Sequence, residues 1–158
     1  MSRDMSKPRR ISAGGIVFKG NAVLLVRYRD CNNGETYLVA PGGALEDDEN
    51  VVQAIVRETR EETGITVKPT RVIAIEDLVD MHIKMIKVWM VCEFVEGEVH
   101  KTEEAEKEKI VEAAWFTHDQ LANEVVYPSV LMQHAWEQFQ AETWQVECLP
   151  SRVADFSL

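Results

Sequence analysis

Residues 43–65 read GALEDDENVVQAIVRETREETGI, and the folding of this stretch decides the rest of the chain. Taken as a helix over residues 50–63, it sorts its side chains by face at about 100° per residue. Val51, Val52, Ile55, Val56 and Thr59 share one arc, the pattern of a buried stripe. Glu58 and Glu62 stand one turn apart at the edge of that arc, with Glu61 beside them. Three carboxylates on one turn repel each other, and a divalent cation relieves the repulsion, since hard ions such as Mg²⁺ take oxygen ligands. Runs of Arg and Glu are commonly solvated faces laced with weak ion pairs. The flanks point to a site instead. Pro41-Gly42-Gly43 turns the chain ahead of the helix, Asn50 and Gln53 match a capping pair, and Gly64 is a stop.

Working outward, 158 residues suit one domain with a proper core. Apolar residues at 46% and charged residues at 28% are ordinary for a globular protein. A net charge of −10 argues against a nucleic-acid or anionic-membrane binder. It leaves room for a phosphorylated small molecule whose contact metal ions neutralise. Cys31, Cys92 and Cys148 form no CxxC pair, which fits reduced thiols in the cytoplasm. No signal peptide and no apolar run of membrane length stand out.

Residues 1–9 read as a polar tail, residues 10–145 as one domain and residues 146–158 as a C-terminal tail. Residues 11–18 and 22–29 alternate as two strands joined at Gly20. Gly14-Gly15 suggests a bulge or a close backbone approach. Arg27 and Arg29 share a strand face and are candidates for phosphate contacts, Arg27 ahead of Arg29. Residues 30–35 form a loop and residues 36–39 a short strand. Beyond Gly64, strand segments over 65–67 and 72–78 are interrupted by Pro69. A longer strand covers 84–95, with Ile86, Val88, Met90, Cys92 and Phe94 on its core face. Residues 100–109 read as a charged loop and 110–116 as a final strand. A short helix is expected over 118–123 and a second helix over 129–142, where Met132, Trp136 and Phe139 mark a core or subunit contact. Strands, one long helix, more strands and a closing helix make an α/β layered domain.

No HExxH spacing joins His82, His100, His118 and His134, no GxSxG elbow is present, and neither glycine pair continues as a Walker loop. Gly43-x5-Glu49-x7-Arg57-Glu58-Thr59-x-Glu61-Glu62-x-Gly64-Ile65, by contrast, resembles the box of the Nudix hydrolase family. Thr59 stands where the family has an aliphatic residue, and Asp48 where many members have glycine. The resemblance extends more loosely over residues 11–116. It implies an α/β/α sandwich around a mixed β-sheet, with the box helix walling the active site.

The resemblance further implies Mg²⁺, with Mn²⁺ as a substitute, on Glu58 and Glu62, with Glu61 sharing that duty or holding the attacking water. A carbonyl of Gly42 or Gly43 would complete the coordination. Glu49 and Arg57 read as an ion pair that orients the helix. A further base is sought among Glu103, Glu104, Glu106, Glu108 and Glu112, with Glu108 favoured. The expected activity is Mg²⁺-dependent cleavage of a diphosphate bond in a nucleoside diphosphate linked to another group. The alternatives are a non-catalytic nucleotide-sensing module and an isoprenoid diphosphate isomerase. No downstream Pro of the kind typical of ADP-ribose hydrolases is found, nor a marker for dinucleoside polyphosphate or coenzyme A hydrolases. Trp89, Trp115 and Tyr37 are candidates either for stacking on a base or for the core. Dimers are common in the family.

Overall fold

Strand alternation produces the expected N-terminal hairpin: β1 (Arg9–Lys19) turns through Gly20, at φ +60°, into β2 (Ala22–Arg29). In this computed structural model, which describes residues 7–80 and 82–153, β3 (Thr36–Val39), β4 (Gly42–Ala44) and helix α1 (Val51–Thr63) come next. Then follow β5 (Thr66–Val79), β6 (Lys84–Glu96), the short helix α2 (Glu103–Lys107) and β7 (Ile110–Thr117). A 3₁₀ turn at Asp119–Leu121, β8 (Val126–Tyr127), α3 (Val130–Gln133), a 3₁₀ helix at Trp136–Gln140, β9 (Glu147–Cys148) and β10 (Arg152–Val153) complete the described chain. Residues 1–6 of the expected tail lie outside the described residues, and Arg9 already belongs to the sheet. Among the described residues no helix is long and apolar enough to cross a membrane.

The strands form one curled mixed sheet in the order β10-β5-β6-β1-β2-β3-β8, with β4 beside β1, β7 beside β2 and β9 beside β5. β1 runs parallel to β6 from Arg9–Lys84 to Val17–Cys92 and antiparallel to β4 and β2. Because alternate side chains of a strand point to opposite faces, β1 feeds two cores. Ala13 and Val17 pack with Ala54 and Ile55 of α1. Ile16 packs on the other side with Trp89, Leu131 and Phe139. Trp89, fully buried, belongs to that second core, so it is no base-stacking platform. The close backbone approach expected at Gly14 is made by this ring: a Cβ there would sit 2.2 Å from it.

Five local expectations need correction. The buried face of α1 is Ala54, Ile55, Glu58, Thr59, Glu62 and Thr63, so the carboxylates lie within the stripe rather than at its edge, and Val52 is 43% exposed. Pro69 does not split β5. The register slips between Pro69 and Arg71, a bulge that spares the proline a ladder hydrogen bond, and the hydroxyl of Thr70 donates to the Val91 carbonyl at 3.0 Å. Ile86 is 40% exposed rather than core. The helix expected over 129–142 breaks at His134 and Ala135, which are extended, so Phe139 is buried while Met132 stays at the surface. The expected loop over 100–109 contains α2.

Gly14→Ala should destabilise the protein by about 1–3 kcal/mol or more, because the added methyl meets a fully packed indole. Urea unfolding measures the loss and near-UV circular dichroism the displaced tryptophan. An unchanged midpoint would show that the ring has room.

Candidate functional site

The site is built on α1, and local hydrogen bonds set where that helix begins and ends. The Asn50 side chain accepts from the Gln53 amide at 2.8 Å while the Gln53 side chain accepts from the Asn50 amide at 3.0 Å, a closed capping box. Gly64, at φ +80°, donates its amide to the Arg60 carbonyl at 2.9 Å and ends the helix. The turn before the helix closes between Glu46 and Glu49, and Asp48 needs no left-handed conformation for it. Thr59 is buried like the aliphatic residue it replaces, and its hydroxyl finds no partner.

These fixed ends hold two carboxylates inside the protein. Glu58 is 6% exposed and Glu62 is fully buried. β4 makes the burial possible. A Cβ on Gly43 would lie 2.5 Å from Glu58 Oε1, so a side chain there would push the carboxylate from this position. The amide of Gly42 donates to Glu62 Oε2 at 3.3 Å. The remaining oxygens, Glu58 Oε2 and Glu62 Oε1, are buried without any hydrogen-bond partner. Burial, then the charge of Glu108, raises the Glu58 carboxyl above its ordinary range, and Arg57 opposes the shift. Glu62 is raised further, first by burial and then by Glu58 and Glu108.

Arg57 organises the exposed side of this cluster. It donates to Glu49 through Nε at 2.6 Å and Nη2 at 2.8 Å, which holds Glu49 down to about 2. Its Nη1 donates to Glu58 Oε1 at 2.9 Å and to Glu61 Oε2 at 3.2 Å. Glu108, at the end of α2, completes the group: Glu58, Glu61 and Glu108 each bring a carboxylate oxygen within 4.8 Å of the others. The Thr102 hydroxyl docks α2 there, since it donates to the Glu61 carbonyl and caps α2 by accepting from the Ala105 amide at 3.0 Å. A divalent cation fits this donor set. The expected ligand Glu62 falls outside this group of three, and a cation held by the three would offset a repulsion that otherwise keeps protons on the carboxylates.

The two strand arginines differ. Arg27 is held by Glu124 at 2.9 and 3.0 Å, by Glu112 at 2.9 Å and by Thr36 at 3.0 Å, and these partners leave few of its donors for a ligand. That pair also removes Glu112 from the candidate bases, and Glu106 is paired with Lys101. Among the described residues Arg29 donates only to the Gly34 carbonyl, and it lines a cavity of about 360 Å³ with Lys101, Glu106 and Lys109. Tyr28 was missed. It stacks on Tyr37 at 5.6 Å, and burial, then the charges of Glu62 and Glu108, raise its phenol. The alternation of β2, which sets Tyr28 opposite the arginines, was the available signal.

The chain is 28% identical over 112 residues to an ADP-ribose pyrophosphatase of Methanocaldococcus jannaschii, an alignment that covers 66% of this chain and 66%, just under two thirds, of that protein. An ADP-ribose pyrophosphatase structure from Streptococcus suis 89-1591 is 25% identical at a TM-score of 0.59, covering 88% of this chain and 98% of that one. A NUDIX hydrolase structure from Nitrosomonas europaea, 24% identical, superposes at a TM-score of 0.65 over 80% of this chain and 85% of that one, and so shares the fold. The model of the NUDIX domain matches residues 8–145, which include α1, the glycine turn and Glu108, and by that match the chain belongs to the NUDIX family.

Proposed function

We propose that the protein hydrolyses a diphosphate bond in a nucleoside diphosphate linked to another group, using Mg²⁺ or, in its place, Mn²⁺. The observation that carries this reading is the pair of buried carboxylates with stranded oxygens, Glu58 and Glu62, beside Glu61 and Glu108. Glu58, Glu61 and Glu62 would hold the cation, with a carbonyl of Gly42 or Gly43. When bound, the ion neutralises phosphate charge and acidifies a water. ADP-ribose leads the candidate substrates because the M. jannaschii and S. suis relatives are ADP-ribose pyrophosphatases.

The chain's own groups supply the rest. Glu108, exposed beside Glu58 and Glu61, would take a proton as the water oxygen bonds to phosphorus and the anhydride P–O bond breaks. Arg57 keeps Glu58 and Glu61 aimed while leaving one oxygen of each open. Arg29 and Lys109 offer positive charge to a phosphate at the cavity they share, where Lys101 is paired with Glu106. Three unpaired cysteines accord with a reducing, cytoplasmic compartment.

Phosphate or nucleoside monophosphate release from a nucleotide panel that includes ADP-ribose, with and without EDTA, tests the reading. Glu62→Gln and Glu61→Gln should each lower kcat by about a hundredfold or more. A wild-type protein that binds nucleotides but turns none over would refute it.

A second outcome follows from the buried carboxylates. Because Glu58 and Glu62 titrate above 4.5 in the folded chain, the native state holds protons that the unfolded state has released. Cation-free stability should therefore be highest below about pH 4.5 for this contribution and fall as pH rises through the raised values. Tm measured in EDTA from roughly pH 5 to 8 should decline, and Mg²⁺ should reverse the decline. A flat profile, or one that Glu62→Gln leaves unaltered, would show these groups ionise freely.

A further inference from the structure

The sheet path starts at β10 and finishes at β8, yet its two ends meet. Arg152 of β10 lays its guanidinium over Tyr127 of β8, 3.7 Å from the ring centroid. The same guanidinium reaches both oxygens of Glu76 on β5 at 3.4 Å, and Trp89 Nε1 donates to Glu76 Oε1 at 3.3 Å. Glu76 is 2% exposed, so this clasp is internal. Its register partner on β6 is Lys87, which is also paired across β1 with Ser12 beside the glycine turn.

Lys87 is half-buried, with its amine 4.3 Å from the Trp89 ring centroid. Among the described residues it has no ion pair, whereas the partly exposed Arg152 has one with Glu76. Glu62 is the carboxylate whose charge acts on it most, followed by Glu76, and Arg152 opposes them. The indole under the amine packs on Gly14, and Gly14 is paired with Gly42, whose amide donates to Glu62, so the amine lies across one bare glycine pair from the carboxylate site, with hydrogen-bond donors that no side chain among the described residues takes. An acidic site presents few cations to an anionic substrate, and an ammonium over an indole, kept from collapsing onto Glu76 by Arg152, is suited to meet one.

We propose that Lys87 binds the diphosphate of the substrate, its ammonium donating to non-bridging oxygens of the phosphoryl group next to Glu62, while the Arg152–Glu76–Tyr127 clasp holds β6 in place. This rests on the hydrolase reading above and names a residue outside the box that fixes the phosphate chain. The competing role is a counter-charge that only steadies Glu62.

Calorimetric titration with α,β-methylene ADP, a diphosphate that cannot be hydrolysed at that bond, in Mg²⁺ compares wild type with Lys87→Met, Lys87→Gln and Lys87→Arg. Loss of the ammonium should weaken binding about tenfold or more and raise KM in step, with kcat changed far less, and Lys87→Arg should recover most of the affinity. Mn²⁺ affinity, followed by electron paramagnetic resonance, should stay near wild type. Equal analogue affinity in wild type and Lys87→Met overturns the proposal, as does a change confined to Mn²⁺ affinity. Should Lys87→Met fail to fold, Lys87→Gln against Lys87→Arg gives the same comparison. A wild type that hydrolyses nothing but binds the analogue through Lys87 sinks the hydrolase reading and keeps this one, whereas a wild type that does not bind the analogue ends both.

Discussion

Burying two carboxylates against a glycine turn is the constraint on which the other features depend. Taking such groups out of water costs several kcal/mol each unless partners replace the lost hydration. The partners supplied are incomplete: Arg57 covers one oxygen of Glu58, the Gly42 amide covers one oxygen of Glu62, and the other two face nothing. Gly43 is therefore a steric requirement of Glu58 more than a flexible turn residue, since any side chain would drive the carboxylate out. The capping box and the left-handed Gly64 end play the same part at longer range. They fix α1 along its axis, so that one turn of helix delivers both carboxylates to the same backbone edge.

What could be read from the chain was what local hydrogen bonding decides. The Asn50–Gln53 box, the Gly64 stop and the Glu49–Arg57 pair all join residues within a few turns of each other, and spacing reveals them. The partners of Arg27, Glu112 and Glu124, lie 85 and 97 residues away, beyond what local spacing can reveal. Strand alternation put two arginines on a face but carried no information about which acids the sheet would bring across to them. Glu108 was favoured among several acids on a weaker argument, and the contact that brings it beside Glu58 and Glu61, the Thr102 hydroxyl on the Glu61 carbonyl, spans 41 residues. The failed helix over 129–142 shows the converse. Its apolar spacing was right, but the core took Val130, Leu131 and Phe139 from two short pieces, and Trp136 closed the bend by donating to the Leu131 carbonyl at 2.9 Å.

The charge of the whole chain is a poor guide to the charge of the cleft. At −10 the protein should repel a diphosphate, and the carboxylate cluster sharpens that repulsion. Around the cluster, however, the cations differ in how far acids engage them. Arg152 occupies Glu76, which leaves the amine of Lys87 against an indole instead of a carboxylate. Glu49 takes the strongest hydrogen bonds of Arg57, so that arginine reaches Glu58 and Glu61 with only one nitrogen. Buried ion pairs contribute little net stability, and their better use is to fix where a charge is allowed to sit. In this fold the pairs at Glu49 and Glu76 act in that way. The C-terminal residues that looked like a tail supply one of them, which makes closure of the sheet and preparation of the cleft a single event.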